Sequence, residues 1–260
     1  MIHSPATIMP LSAVIITYNE ARNIGRCLDS LAGVADEVVV VDSFSTDATE
    51  AICKAKGARF VQHAFRGHIE QKNWALEQAL YPHVLSLDAD EALDETLRAS
   101  ILAVKDNWAC EGYRMNRLTN YCGQWIYHCG WYPDRKLRLF DRRKGHWGGV
   151  NPHDKVVMEA GCRESHLKGD LLHYSYYTVE EHLAKTKKYV DIAAQALHQK
   201  GRRGAWWRVW LSPAFKFFRN YILKAGFLDG KMGFVICRIS AQETYLKYKQ
   251  LRALGRKAAN

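Results

Sequence analysis

Acidic side chains cluster where an apolar run ends, in V-L-S-L-D-A-D-E-A-L at residues 84–93. Asp88 and Asp90 are two positions apart, and alternate residues of an extended chain point the same way. The two carboxylates can therefore share one hard cation such as Mg²⁺ or Mn²⁺, which keeps coordination positions open for a substrate diphosphate. The alternative is a solvated acidic loop in which Glu91 begins a helix.

A second polar group follows the first apolar run of the chain, and a third lies at residue 42. Tyr18 can lie against a nucleotide base, and Asp42 can accept a hydrogen bond from a base N–H. Helix capping is the alternative for Asn19 and Glu20, and a turn is the alternative for Asp42. Lys72 can offset diphosphate charge or belong to a solvated helix face. The sequence has neither a G-x-G-x-x-G nor a G-x-x-x-x-G-K-[ST] motif, which argues against a dinucleotide fold or a P-loop.

Two histidines and a carboxylate follow in the second half of the chain. Asp154, in W-G-G-V-N-P-H-D, can act as a general base that His153 orients, or the pair can serve a turn. His173 follows an apolar run, where it is either a third metal ligand or a histidine whose polar atoms are satisfied within the core.

Strands and helices that alternate along the first hundred residues must position these groups. Such alternation predicts βαβ units and an α/β fold with a mainly parallel, doubly wound sheet. Ligands bind such sheets at the carboxyl ends of the strands, where Thr17, Asp42 and Asp88 fall. The predicted strands are 11–17, 37–42, 59–62 and 83–87, and the predicted helices begin near Ala21, Thr46, Ile69 and Asp94.

The later part of the chain has a different pattern. Antiparallel strands are expected around an aromatic loop at 121–134, and the glycine-rich segment 146–173 is expected to be irregular. We therefore predict a nucleotide-binding and catalytic domain at 1–175 and a basic, aromatic-rich helical extension at 176–260. The helices predicted for the extension are 178–199, 212–225 and 230–253.

The charge of the chain is concentrated in its last third. The net charge is +10, yet residues 1–174 carry 20 Lys and Arg against 22 Asp and Glu, and residues 175–260 carry 17 against 5. Cations alternate with Trp and Phe at 202–221, which is typical of an interfacial helix facing anionic lipid. A core helix and a nucleic-acid surface are the alternatives, but no nucleic-acid motif is present.

The N-terminal residues and the spacing of the cysteines predict where the protein is located. The first ten residues lack the basic and apolar regions of a signal peptide. The seven cysteines form no C-x-x-C pair, which indicates reduced thiols in a cytosolic protein. We expect a protein that is soluble or peripheral on the membrane.

Four stretches of the first hundred residues together resemble glycosyltransferase family 2, the inverting enzymes of the GT-A fold. The later part resembles the lipopolysaccharide inner-core β-glucosyltransferases, which usually carry His-Glu where this chain has His153-Asp154. The Q-x-x-R-W signature of processive synthases is absent, so transfer of a single sugar is implied. The matching stretches are 14–20, 40–49, 71–76 and 87–91 for the family, and 131–140, 148–154 and 228–234 for the branch.

The resemblance implies roles for the nucleotide-binding residues, for Asp88 and Asp90 and for Asp154. The residue patterns add His153, His173 and the acceptor contacts to the predicted site. Asp154 is the catalytic base beside His153, and the metal ligands for Mg²⁺ or Mn²⁺ are Asp90, Asp88 and His173. The nucleotide-sugar contacts are Thr17, Tyr18, Asn19, Glu20, Asp42, Lys72, Asp88 and Ala89. The acceptor contacts are Trp131, Tyr132, Asp134 and Arg135.

The implied reaction is metal-dependent, inverting transfer of glucose from UDP-glucose to a heptose of the lipid-anchored inner core. The implied location is the cytoplasmic face of the membrane, where the basic extension meets an anionic surface. A polyprenyl-linked or capsular glycan is the alternative acceptor. A basic module that binds membrane or nucleic acid without catalysis is the alternative from another functional class.

Overall fold

The computed structural model describes residues 9–151, 153–202 and 204–257. The first eight residues, which hold most of the segment predicted not to be a signal peptide, lie outside the described residues. The chain folds into two compact units. The first comprises the described residues of Met1–Arg117 together with Asp134–Tyr174, and the second comprises Leu118–Pro133 together with those of Ser175–Asn260.

Four parallel strands begin the sheet of the first unit. Strands β1 (Leu11–Thr17), β2 (Glu37–Asp42), β3 (Arg59–Gln62) and β4 (His83–Asp88) lie in the spatial order β3-β2-β1-β4. The order reverses between β1 and β4, and ligands of doubly wound sheets bind at such a switch point. The predicted α/β, Rossmann-like fold class is confirmed.

Helices cover both faces of these strands. Because side chains alternate along a strand, Ala13 and Ile15 of β1 join one buried cluster and Val14 joins another. Asp94 caps the last of the four helices, since its Oδ1 accepts the Leu97 N–H at 2.6 Å. The helices are α1 (Ile24–Leu31), α2 (Thr49–Ala55), α3 (His68–Glu77) and α4 (Glu95–Asp106).

The sheet continues beyond β4 with antiparallel strands. The order onward is β4-β8-β6-β11-β5, and β9 and β10 form a separate antiparallel pair. The end of β6, the short β7 paired with it and the end of β11 belong to the second unit. These strands are β5 (Glu91–Leu93), β6 (Gly112–Tyr121), β7 (Gln124–Ile126), β8 (Asp134–Asp141), β9 (Gly145–Val150), β10 (His153–Met158) and β11 (Glu164–Tyr176).

The expectation of an irregular segment at 146–173 is wrong, because three strands lie there. Glycine-rich composition predicts irregular backbone, but pairing with β10 holds β9 extended, with Trp147 opposite Val156. Gly149 has a φ of +106°, and a Cβ at this position would lie 2.7 Å from the carbonyl oxygen of His153. Glycine at position 149 therefore permits the close pairing of β9 with β10, although the glycine-rich composition of the segment predicted irregular backbone.

Helices make up most of the second unit. The expected helices at 178–199 and 230–253 are confirmed as α5 (Val179–Gln199) and α7 (Gly230–Lys257). The helix expected at 212–225 begins earlier, as α6 (Trp206–Phe218), and gives way to a π-helical turn at Arg219–Leu223. Pro213 favours a helix start but lies inside α6. Among the helices of the described residues, none has the length and apolar character needed to cross a bilayer.

Candidate active site

The loops that follow β1 and β2 are bound to each other at the carboxyl edge of the parallel strands. The Asn19 N–H donates to Ser45 Oγ at 2.7 Å, and Asn19 Oδ1 accepts the Thr46 N–H at 2.8 Å. Asn19 has a φ of +53°, a conformation that Asn tolerates better than most residues. The carboxylate of Asp42 accepts the N–H of Ser45 at 2.7 Å and its hydroxyl as well. The predicted nucleotide-binding residues of both strands therefore form one connected structure.

Their exposure differs within that structure. Tyr18 is 58% exposed, whereas Asp42 is fully buried beneath the turn that carries Ser45. The Glu20 N–H donates to Thr49 Oγ1 at 2.9 Å, and the Glu20 carbonyl accepts the N–H of Ile24 at the start of α1. The helix-starting role considered for Glu20 is thus present, and the exposed ring of Tyr18 is open to a ligand.

Lys72 lies between the two carboxylates of the predicted catalytic centre. Its Nζ is 2.9 Å from Asp88 Oδ1 and 2.8 Å from Asp154 Oδ2, and its side chain is only 5% exposed. The ammonium also lies 4.2 Å from the ring centroid of Trp147, a cation–π contact. These contacts contradict the alternative of a solvated helix face.

Asp88 is held by a second cation, which sequence reasoning missed. Arg138 Nη2 lies 2.8 Å from Asp88 Oδ2 and 2.7 Å from Glu91 Oε1. Burial would raise the pKa of Asp88, but the charges and hydrogen bonds of Lys72 and Arg138 hold it well below its usual range. Arg138 and Glu91 are almost wholly buried, and Arg138 Nε and Nη1 lack a hydrogen-bond partner among the described residues. These two nitrogens can donate to an anionic ligand.

The buried carboxylate of Glu91 holds the turn at residues 88–91, and Glu91 lies in strand β5 and not at the start of a helix. Its Oε2 accepts the Asp88 N–H at 3.0 Å, and its Oε1 accepts from Arg138. Arg117 lies 3.4 Å from Glu91 and 2.7 Å from Asp134. Burial would lower the pKa of Arg117, but the carboxylates of Glu91 and Asp134 raise it. The solvated acidic loop considered from the sequence is therefore a buried ionic network.

Asn73 fixes the hairpin that carries the predicted base. Its Nδ2 donates to the Trp147 carbonyl at 2.8 Å, and its Oδ1 accepts the Trp147 N–H at 2.9 Å. The indole Nε1 donates to Ser86 Oγ of β4 at 3.2 Å. Asp154 and His153 begin β10, which pairs with the strand of Trp147. Asp154, the predicted base, therefore lies on a strand and not in the irregular loop expected from the sequence.

The three predicted metal ligands do not form one preformed centre. His173 Nε2 lies 3.3 Å from Asp90 Oδ2, whereas Asp88 is paired with Lys72 and Arg138. Ala89, a predicted nucleotide-sugar contact, is buried. Within the part of the chain that the structure describes, no group of three or more His, Cys, Asp or Glu side chains is arranged to hold a metal ion. Asp90 and His173 fit a divalent ion that takes its other ligands from solvent and a diphosphate.

The contacts of Lys72 with Asp88 and Asp154 form a bridge between the two carboxylates, the Lys72 bridge. A cleft of about 550 Å³ opens beside it. Asp88 and Asp154 line it, and so do seven Lys and Arg side chains, mostly on β6 and β8. Neither the Thr17–Glu20 loop nor Asp42 lines the cleft. Lys72 therefore lines a cationic cleft that also contains the predicted base, and the loops that follow β1 and β2 do not line this cleft.

The predicted acceptor residues divide between the two units. Arg135 is exposed and lines the cationic cleft, and Asp134 pairs with Arg117. Trp131 belongs to the second unit, where its ring lies 5.8 Å from that of Tyr121. Tyr132 also belongs to that unit, with its ring 5.7 Å from that of Tyr127.

Asp229 anchors the aromatic loop of the second unit, and sequence reasoning missed this role. It is buried, and it accepts the N–H groups of Tyr127 at 3.2 Å and His128 at 2.8 Å. The His128 ring nitrogen Nδ1 lies 2.9 Å away. The signal was present in L-D-G-K-M-G-F, since a single acidic residue amid apolar and glycine residues needs partners when buried.

Comparison with known proteins places the chain in a family. A family model described as glycosyl transferase family 2 matches residues 12–168, more than half of the chain. The lipopolysaccharide core biosynthesis glycosyltransferase LpsC of Rhizobium meliloti (strain 1021) is 31% identical, over 92% of this chain and 93% of LpsC. An uncharacterized glycosyltransferase, RT0209 of Rickettsia typhi, is 28% identical over 96% of this chain and 89% of its own.

Solved structures overlap only part of the molecule. S. aureus TarS is 29% identical over 43% of this chain and 22% of its own, with a TM-score of 0.37. Glucosyl-3-phosphoglycerate synthase from Mycobacterium tuberculosis is 22% identical over 43% of this chain and 44% of its own, with the same TM-score. Overlaps this limited carry no weight for function. The family match and the relatives of nearly equal length establish that the chain belongs to glycosyl transferase family 2 and is a glycosyltransferase.

Proposed function

We propose that this glycosyltransferase moves one glucose, with inversion, from UDP-glucose to a heptose of the lipid-anchored lipopolysaccharide inner core. The observation that carries the proposal is the Lys72 bridge, which joins the donor-side carboxylate of Asp88 to the carboxylate of Asp154. The acceptor class is supported by the similarity to LpsC, whose name assigns that protein to lipopolysaccharide core biosynthesis.

The donor binds at the switch point in this proposal. The exposed ring of Tyr18 stacks against uracil, and the buried carboxylate of Asp42 holds the turn that faces the base. Lys72 and the two Arg138 nitrogens that lack a hydrogen-bond partner in the described part of the chain supply positive charge for the diphosphate. Charge-assisted hydrogen bonds of this kind are among the stronger polar contacts in proteins.

Asp90 and His173 would hold Mg²⁺ or Mn²⁺ beside the diphosphate. The carboxylate and imidazole are 3.3 Å apart, close enough to bind one ion together. When bound, the metal would supply Lewis acidity that stabilises the negative charge developing on the leaving diphosphate. Only two protein ligands are required, since Mg²⁺ sites commonly combine one or two carboxylates with substrate phosphates.

Asp154 removes the proton from the acceptor hydroxyl. Lys72 fixes its carboxylate through a 2.8 Å contact, and the contact with Asp88 keeps the same ammonium on the donor side. A base on the face of the sugar opposite the leaving diphosphate gives in-line attack and inversion at the anomeric carbon. His153 lines the cleft beside Asp154, where it can contact the acceptor.

The second unit associates with the anionic, cytoplasmic face of the membrane in this proposal. Trp206, Trp210 and Phe215 of α6 are 65%, 62% and 61% exposed. Their exposure argues against a core helix, the alternative considered from the sequence. Aromatic side chains favour the membrane–water interface, and neighbouring Lys and Arg favour anionic headgroups.

The decisive experiment is calorimetric binding of UDP, with and without Mn²⁺, to the wild type and to Asp90→Ala. We expect binding that depends on Mn²⁺ in the wild type and loses that dependence in Asp90→Ala. Absence of UDP binding to the wild type would refute the proposed donor site. Transfer from UDP-glucose to heptose-containing core, polyprenyl-linked glycan and capsular glycan then identifies the acceptor.

A further inference from the structure

A groove of about 450 Å³ lies between α6 and α7 in the second unit. On α6, Trp207, Leu211 and Phe215 follow at intervals of four residues, so they lie on one face of the helix. Lys216 and Arg219 are three residues apart and lie beside that row. The complete lining is Trp207, Leu211, Ser212, Phe215, Lys216, Arg219, Thr244, Lys247 and Tyr248.

Close antiparallel packing of the two helices forms this groove. The ring of Trp210 lies 5.4 Å from that of Tyr245, and the ring of Phe217 lies 5.8 Å from that of Phe234. Just before α6, a Cβ on Gly204 would lie 2.7 Å from the backbone nitrogen of Arg252. Only glycine allows the chain to approach α7 this closely.

Three cations share the groove, and the described residues that line it include no carboxylate. Lys216, Arg219 and Lys247 are all partly buried, and among the described residues none of them forms an ion pair with Asp or Glu. Burial lowers the pKa of Lys216, and the charges of Arg219, Lys247 and Lys224 lower it further against the opposing charge of Glu243. Like charges that are partly removed from water destabilise the folded protein. A bound anion would offset this repulsion.

The apolar side of the groove restricts the kind of anion. Leu211 and Phe215 are each 61% exposed, and Trp207 is 45% exposed. An inorganic anion would satisfy the cations and leave these side chains in water. An amphipathic anion, with a phosphate head and an acyl chain, would match both sides of the groove.

We propose that the groove between α6 and α7 is a binding site for the headgroup phosphate of an anionic phospholipid. Lys216, Arg219 and Lys247 contact the phosphate, and the first acyl carbons lie along Trp207, Leu211 and Phe215. This inference rests on the proposed membrane association and deepens it, because a discrete site replaces diffuse attraction between a basic surface and an acidic bilayer.

The test compares two double variants of the full chain that remove equal charge. Lys216→Met with Lys247→Met empties the groove of its lysines, and Lys231→Met with Lys249→Met removes two exposed lysines of α7 outside it. Binding is measured to phosphatidylcholine vesicles with and without phosphatidylglycerol. We expect the groove variant to lose on the order of tenfold or more in affinity for the anionic vesicles, and the control variant to lose much less.

A second measurement identifies the ligand. Dihexanoyl phosphatidylglycerol below its micelle concentration should bind the wild type saturably, with one molecule per chain, and should not bind the groove variant. Inorganic phosphate and dihexanoyl phosphatidylcholine should bind far more weakly. Equal losses in the two double variants, or tight binding of inorganic phosphate, would overturn the proposed lipid site. UDP binding in the presence of Mn²⁺ is measured on the same samples, so failure of the donor site is recorded separately.

Discussion

The ammonium of Lys72 lies 2.8 Å from the carboxylate of Asp154, although 82 positions separate the two residues in the sequence. The same ammonium lies 2.9 Å from Asp88. A side chain of α3 therefore connects the end of β4 with the start of β10. Because one cation serves both carboxylates, its replacement should disturb donor binding and base position together.

Lys72→Met should weaken UDP binding and lower the transfer rate, each by tenfold or more. Removal of one partner from a buried ion pair leaves uncompensated charge, which is strongly unfavourable. Without Lys72, Asp88 keeps one of its two ion-pair partners among the described residues, Arg138. Lys72→Arg keeps the charge and should retain part of the UDP affinity and part of the transfer rate. Calorimetry with UDP and a transfer assay measure the two effects. Unchanged UDP affinity in Lys72→Met would contradict a donor-side role for this residue.

Asp154→Asn should lower transfer by about 10²–10⁴, the usual contribution of a general base. UDP binding should change little, because Lys72 keeps its contact with Asp88. Asp154→Glu restores a carboxylate with a longer reach and should recover part of the rate. Steady-state transfer kinetics on the two variants check the assignment. Equal rates for Asp154→Asn and the wild type would exclude Asp154 as the base.

The positions of the strand ends in this site are easier to predict from the sequence than the surroundings of Asp154. Strands β1, β2 and β4 are apolar runs that end in polar residues, and a sheet of βαβ units brings such ends together. The location of Thr17, Asp42 and Asp88 at one edge therefore follows from local pattern. Their exposure does not follow, and Asp42 is buried under its own turn.

The catalytic side depends on pairings between distant residues. Arg138 lies 47 positions from Glu91, and Asn73 lies 74 positions from Trp147. The sequence around each of these residues is that of an ordinary strand or helix, so it gives no indication of the distant partner. The same cause explains why the hairpin of β9 and β10 was expected to be irregular, since its strands gain their hydrogen bonds from each other.

Asn73→Ala should slow transfer while leaving UDP binding nearly unchanged. The substitution removes two hydrogen bonds to the Trp147 backbone, at a cost of about 1–3 kcal/mol in unfolding free energy. Trp147 then loses its fixed position against Lys72, and the hairpin that carries the base moves more freely. Asn107→Ala is the control, because Asn107 is an exposed residue after α4 and lies outside the hairpin of β9 and β10. Comparable kinetics for the two variants would show that the Trp147 contact has no positioning role.

Asp229→Ala should destabilise the second unit by about 2–4 kcal/mol, because several N–H groups lose a charged acceptor. Asp229 holds the loop that carries the predicted acceptor residues Trp131 and Tyr132. Transfer to the acceptor should therefore fall more than UDP binding does. Asp229→Asn keeps the shape and one acceptor oxygen, and it should lie between the wild type and Asp229→Ala. Thermal unfolding and calorimetry measure stability and donor binding, and a larger loss of UDP affinity than of transfer would contradict this role.

Acidification should destabilise the protein through His182. This ring is buried with its Nδ1 3.0 Å from the hydroxyl of Tyr121, and burial, with the charge of Lys185, lowers its pKa to about 4. An unfolded histidine takes up its proton near pH 6.5, so between pH 6.5 and 4 the unfolded chain binds more protons than the folded one. The free energy of unfolding therefore decreases as the pH is lowered through this window, by at most about 1.4 kcal/mol per pH unit. Thermal unfolding of His182→Gln should show a shallower pH dependence than the wild type, while the exposed control His166→Gln should not; equal slopes for all three would refute this origin.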